Sequence, residues 1–134
     1  MTVCTILYIE DDADDILLFE RAFSRDAVPC DLHCVDSIEQ ARCYLLGQPP
    51  FSHRERFRFP DLIVTDLAVQ GESGVAFIQW LRNQPDFANI AVACLTGSDD
   101  PRKLGELADL GVSTIRKTSL FKDALGVIRN LILR

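Results

Sequence analysis

The sequence has no Cys-x-x-Cys pair, no Gly-x-x-x-x-Gly-Lys-Ser/Thr loop and only two histidines in 134 residues. Each absence removes a chemistry. Without close thiol pairs, the five cysteines (Cys4, Cys30, Cys34, Cys43 and Cys94) read as small hydrophobes rather than as a zinc or dithiol site. Without a phosphate loop, a P-loop nucleotidase is excluded. His33 falls in an expected strand and His53 stands alone in an expected loop, so a Ser-His-Asp arrangement lacks its parts. No apolar run approaches the ~20 residues of a membrane span. The N-terminus also lacks the basic start and apolar core of a signal peptide, so a cytoplasmic location without membrane insertion is expected. A net charge of −6 speaks against direct nucleic-acid binding.

What is present is ordinary in amount and uneven in placement. Apolar residues make up 48% and charged residues 25%, as in globular chains. A chain of this length fits one domain, 1–134, burying roughly two-thirds of its unfolded surface. No output domain is expected after it. Residues 1–50 carry ten acids against three bases, and residues 101–134 three acids against seven bases. The first half therefore points to an acidic pocket, and the second to a basic surface or to plainly solvated helix faces.

The organising stretch is Asp61-Leu-Ile-Val-Thr-Asp66. Its short apolar run reads as a strand buried on both faces, with a carboxylate at its far end. Three other strands end on polar groups: Val3–Ile9 on Glu10-Asp11-Asp12, Ile90–Leu95 on Thr96, and Val112–Arg116 on Lys117. Leu32–Val35 is a shorter strand. Helices are expected from Asp14-Asp15, from the Ser37-x-x-Gln40 capping box to Gly47, from Ser73 to Asn83, from Asp99-Asp100-Pro101 to Gly111, and from Ser119 to the end. Gln48–Pro60, with three prolines and four basic residues counting His53, reads as an inserted loop, and Trp80 as packing. Five strands alternating with five helices specify a doubly wound α/β sandwich on a parallel sheet.

If the strand order is 2-1-3-4-5, as in flavodoxin-like sheets, Glu10, Asp11 and Asp66 meet at the switch point. Carboxylates that close need a cation, and hard oxygen ligands suit Mg2+. The alternative is a solvated loop that merely caps the next helix. A carboxylate, a divalent cation, the Lys117 amine and the Thr96 hydroxyl are together the parts for phosphoryl transfer onto Asp66.

Ile6-Leu-Tyr-Ile-Glu-Asp-Asp12, Asp66, Gly74, Thr96 and Lys117 together resemble, in order and spacing, the receiver domains of two-component response regulators, the CheY-like superfamily. The resemblance covers essentially the whole chain. It implies the flavodoxin-like (βα)5 fold with Asp66 as phosphoacceptor. It also implies Mg2+ or Mn2+ held by Glu10, Asp11, Asp66 and the Ala68 backbone carbonyl, with Thr96 and Lys117 serving the phosphoryl group. The donor it implies is a histidine kinase or phosphotransfer protein, in a reaction that the receiver largely catalyses itself. The output is an unknown downstream protein bound by protein-protein contact.

The sequence departs from the family at Val69-Gln70 in place of Met-Pro, at Thr114 in place of the aromatic switch residue, and at Thr118 in place of proline. A constitutive, phosphorylation-independent binding module on a receiver fold is the alternative that Thr114 and Thr118 favour. A flavin carrier is disfavoured by the acidic edge. The inserted loop and the Asp11-Asp-x-Asp-Asp15 start are similar to single-domain receivers associated with phytochrome-type kinases, a resemblance that implies a homodimer.

Overall fold

A computed structural model describes residues 4–25, 30–66, 74–96, 101–116 and Gly126. The strands are β1 (Cys4–Ile9), β2 (Cys30–Val35), β3 (Leu62–Asp66), β4 (Ala91–Thr96) and β5 (Ser113–Arg116). All neighbours pair in parallel, in the order β2-β1-β3-β4-β5. The four described helices are α1 (Ala13–Arg25), α2 (Ile38–Leu46), α3 (Gly74–Asn83) and α4 (Pro101–Asp109). The fold is the expected flavodoxin-like α/β arrangement. The helix expected from Ser119 lies, apart from the helical Gly126, outside the described residues.

Strand alternation divides the interior into two cores. Ile6 and Tyr8 of β1 join Leu62, Val64, Ala93, Leu95 and Ile115 beneath Phe19, Ala22 and Phe23 of α1. Leu7 and Ile9 point the other way, with Ile63, Val92 and Cys94, toward α2, α3 and Leu107 of α4. The strands are apolar on both faces because helices cover both, the signature of a parallel sheet. Trp80 packs on that second side, 6.0 Å from the Phe77 ring centroid and 5.7 Å from that of Phe87. Arg42 lies over Trp80 at 5.1 Å.

Helix ends follow local chemistry, with one difference from expectation. Helix α1 is capped by Asp12, not by Asp14 or Asp15: the Asp12 Oδ1 accepts from the amides of Asp14 (2.9 Å) and Asp15 (3.2 Å). At α2, Ser37 Oγ accepts from the Gln40 amide at 3.1 Å, as the capping box requires. Gly47 closes α2 in the left-handed conformation, φ 67°.

The Gln48–Pro60 segment folds back onto the C-terminus of α2. Arg54 donates from Nη1 to the carbonyls of Tyr44 (2.7 Å) and Phe57 (3.2 Å), and from Nη2 to that of Leu45 (2.7 Å). A guanidinium there supplies a donor to the Leu45 carbonyl, adds one to the Tyr44 carbonyl that the Gly47 amide already reaches, and suits the helix dipole. The rings of Phe51 and Phe57 lie 5.3 and 5.9 Å from that of Tyr44, whose hydroxyl donates to the Arg58 carbonyl at 2.7 Å. His53 is exposed and faces Glu55 at 3.9 Å, so it serves as a surface group of this loop. Among the described residues no helix is long and apolar enough to cross a membrane.

Candidate functional site

Sheet register builds the site. Ile9 pairs with Thr65, which sets Glu10 level with Asp66 as the two chains leave the sheet. The Glu10 amide still donates to the Val35 carbonyl at 3.0 Å, so the backbone keeps strand geometry one residue past β1. Tyr8 and Val64 face the α1 side, and a period of two puts Glu10 and Asp66 on that side too. The first turn of α1 lies over the same face and brings in Asp15. One carboxylate oxygen from each of Glu10, Asp15 and Asp66 lies within 4.8 Å of the others. Glu10 (1% exposed) and Asp66 (8%) are buried carboxylates, which a soluble protein retains only with strong compensation.

Some of that compensation is visible. Glu10 Oε1 accepts from the amides of Asp11 (3.1 Å) and Asp12 (3.2 Å), and Oε2 accepts from the Tyr8 hydroxyl (3.5 Å). A neighbouring thiol and a phenol register the negative field. The Cys94 thiol is pushed up to about 12, by burial first and by Asp66 second. The Tyr8 hydroxyl is raised well above its ordinary value by burial and then by Glu10, Asp15 and Asp66. Neither group ionises at neutral pH.

The structure brings together two of the expected acids and adds one that was not expected. Asp11 is exposed and stands outside the three-carboxylate group, while Asp15 stands inside it. Thr96 is the last residue of β4, one residue beyond Leu95, which pairs with Asp66. Lys117 immediately follows β5 and, like Ala68 and Thr118, lies outside the described residues. Thr114 is exposed on β5, an edge strand. The signal that could have revealed Asp15 is its place four residues before Phe19, which puts both on the face of α1 that covers Tyr8.

Cys4 and Cys30 are register partners at the opposite end of β1 and β2, and their thiols are in hydrogen-bond contact. Both are raised, mainly by burial, and act as protonated packing groups. His33 packs beside Tyr44 and Phe57, with centroids 5.7 and 5.5 Å away, and burial lowers its basicity.

Three buried or half-buried carboxylates at the C-terminal edge of a parallel sheet, at the point where strand order reverses, fit a small divalent cation. The sequence matches no protein-family model and no curated protein. Solved structures match it throughout. A bacteriophytochrome response regulator, RtBRR, is 28% identical over 97% of this chain and 78% of its own, with TM-score 0.84. A response regulator in red light signaling of R. palustris is 25% identical over 96% of this chain and 91% of its own, with TM-score 0.85. A two-component response regulator from Legionella pneumophila is 25% identical over 99% of this chain and 100% of its own, with TM-score 0.83. The chain is a receiver domain of the CheY-like superfamily. Its likeness runs to response regulators of the phytochrome-associated type, and its role belongs to two-component signalling.

Proposed function

We propose that the domain accepts one phosphoryl group on Asp66 from a phosphohistidine of a histidine kinase or phosphotransfer protein, in a reaction that needs Mg2+ or Mn2+. The observation that carries this reading is the grouping of Asp66 with Glu10 and Asp15 within 4.8 Å at the sheet's carboxyl edge. Glu10 and Asp15 supply hard oxygen donors to the cation, as does Asp66. Asp11, next in the chain, is the further acid that the family resemblance puts there. Once bound, the cation supplies charge neutralisation for the phosphoryl oxygens. A Mn2+-bound form is known for Rcp1, a response regulator of the same fold, 22% identical.

The chain's own residues do the rest. An Asp66 carboxylate oxygen attacks phosphorus, the phosphorus–nitrogen bond of the donor breaks, and the imidazole leaves with a proton from solvent. Burial of Asp66 limits water near the acyl phosphate that forms. Thr96, the last residue of β4, and Lys117, which follows the adjacent β5, serve the transferred oxygens with a hydroxyl and an ammonium group. The added charge of roughly −1.5 to −2 then reorders the surrounding loops and changes affinity for a partner protein.

Thr114, exposed where the family carries an aromatic switch, supports a second reading: a module that binds its partner without phosphorylation. Incubation with acetyl phosphate and Mg2+ separates the two. Phosphoryl uptake by the wild type and none by Asp66→Asn is expected; no uptake by either leaves the constitutive module.

A further inference from the structure

We propose that Tyr8 is a positioning residue of the cation pocket: its buried hydroxyl, with two backbone amides, holds the Glu10 carboxylate in place beside Asp15 and Asp66. The inference rests on reading that pocket as a divalent-cation site.

Residues 8 and 10 point to one side of the sheet, so a tyrosine ring lying along that face reaches the carboxylate two residues on. The ring is fixed by stacking on Phe19, with centroids 4.2 Å apart and planes inclined by 26°. Tyr8 is 0% exposed. Its hydroxyl therefore needs a partner inside the protein, and it donates to Glu10 Oε2 at 3.5 Å. The other Glu10 oxygen takes the Asp11 and Asp12 amides. A glutamate has one more rotatable bond than an aspartate, so it needs such fixing to present a defined oxygen to a cation. Tyrosine suits the task because a phenol is a neutral hydrogen-bond donor. Groups that orient a ligand rather than bind the metal are worth about ten- to a hundredfold in affinity.

The test is Mg2+ titration calorimetry on the wild type, Tyr8→Phe, Glu10→Gln and the double variant. Tyr8→Phe keeps the stacked ring and is expected to bind Mg2+ about tenfold more weakly. In the Glu10→Gln background the same change should alter affinity by less than about twofold, since the hydroxyl acts through Glu10. A second readout does not depend on weak binding. The chain has two tyrosines, Tyr8 and Tyr44. Mg2+ should perturb the near-ultraviolet tyrosine band in the wild type and in Tyr44→Phe but not in Tyr8→Phe. Unchanged affinity in Tyr8→Phe, or an equal loss without the Glu10 carboxylate, overturns the positioning role. A wild type that binds neither Mg2+ nor Mn2+ overturns the cation site itself, and the two failures are distinct.

Discussion

Adding Mg2+ to the metal-free domain should stabilise it, and the structure sets the scale. Carboxylates within 4.8 Å of one another repel by about 3.5 kcal/mol per pair at an effective dielectric constant of about 20, before neighbouring donors and cations are counted. Two of the three are buried, so salt screens them poorly. A dication between them converts repulsion into attraction in the folded state alone, because the unfolded chain scatters the three acids. At a free Mg2+ concentration about twenty times the dissociation constant, linkage gives about 1.8 kcal/mol, or about 6 °C in melting temperature for a domain of this size. The assay is thermal unfolding followed by Trp80 fluorescence, with NaCl matched for ionic strength. Asp66→Asn should lose most of the Mg2+ increment. Asp15→Asn should lose more of it than Asp14→Asn, which changes the same charge one residue away and outside the group. An equal rise with NaCl, or an undiminished Mg2+ increment in Asp66→Asn, would refute the reasoning.

Other consequences follow from the same structure. Arg54→Ala removes donors to three carbonyls and should cost about 2 kcal/mol in urea unfolding, with Arg54→Lys recovering less than half because an ammonium cannot span them. Gly47→Ala combines a φ of +67° with a Cβ 3.1 Å from the Arg54 guanidinium, and should cost about 1–2 kcal/mol in the same assay. Burial lowers His33 in the folded state, and Arg56 opposes the slight raising by Asp31. The unfolded chain therefore takes up the proton first as pH falls through about 6.5, and stability is lost from there down to the lower folded value. Melting curves of His33→Gln should show a flatter pH dependence in that window than the wild type. Thr114→Tyr should leave phosphoryl uptake nearly unchanged, since Thr114 is exposed on β5 away from the three acids; a large loss of labelling would tie it to the chemistry.

The sheet was legible because each strand is an apolar run ended by polar residues; its 2-1-3-4-5 order was a supposition from flavodoxin-like sheets and the family resemblance, and the strand pairing bears it out. Helix α2 was legible to the residue at Gly47, whose left-handed conformation the local sequence announces. The start of α1 was not. Asp12, Asp14 and Asp15 are all competent caps, and only the hydrogen bonds show that Asp12 does the capping. That ambiguity hid Asp15: as a supposed cap it had no reason to enter the pocket, whereas as a first-turn residue above Tyr8 it does. Arg54 was hidden for a different reason. One arginine among three in a basic loop carries no local mark of the carbonyls it will meet, which is a tertiary outcome.

The most direct measurement is the intact mass of the protein after incubation with acetyl phosphate, with and without Mg2+, beside Asp66→Asn. The account predicts a gain of one phosphoryl group in the wild type that requires both Mg2+ and Asp66. A gain that persists in Asp66→Asn, or no gain under any condition, would contradict it.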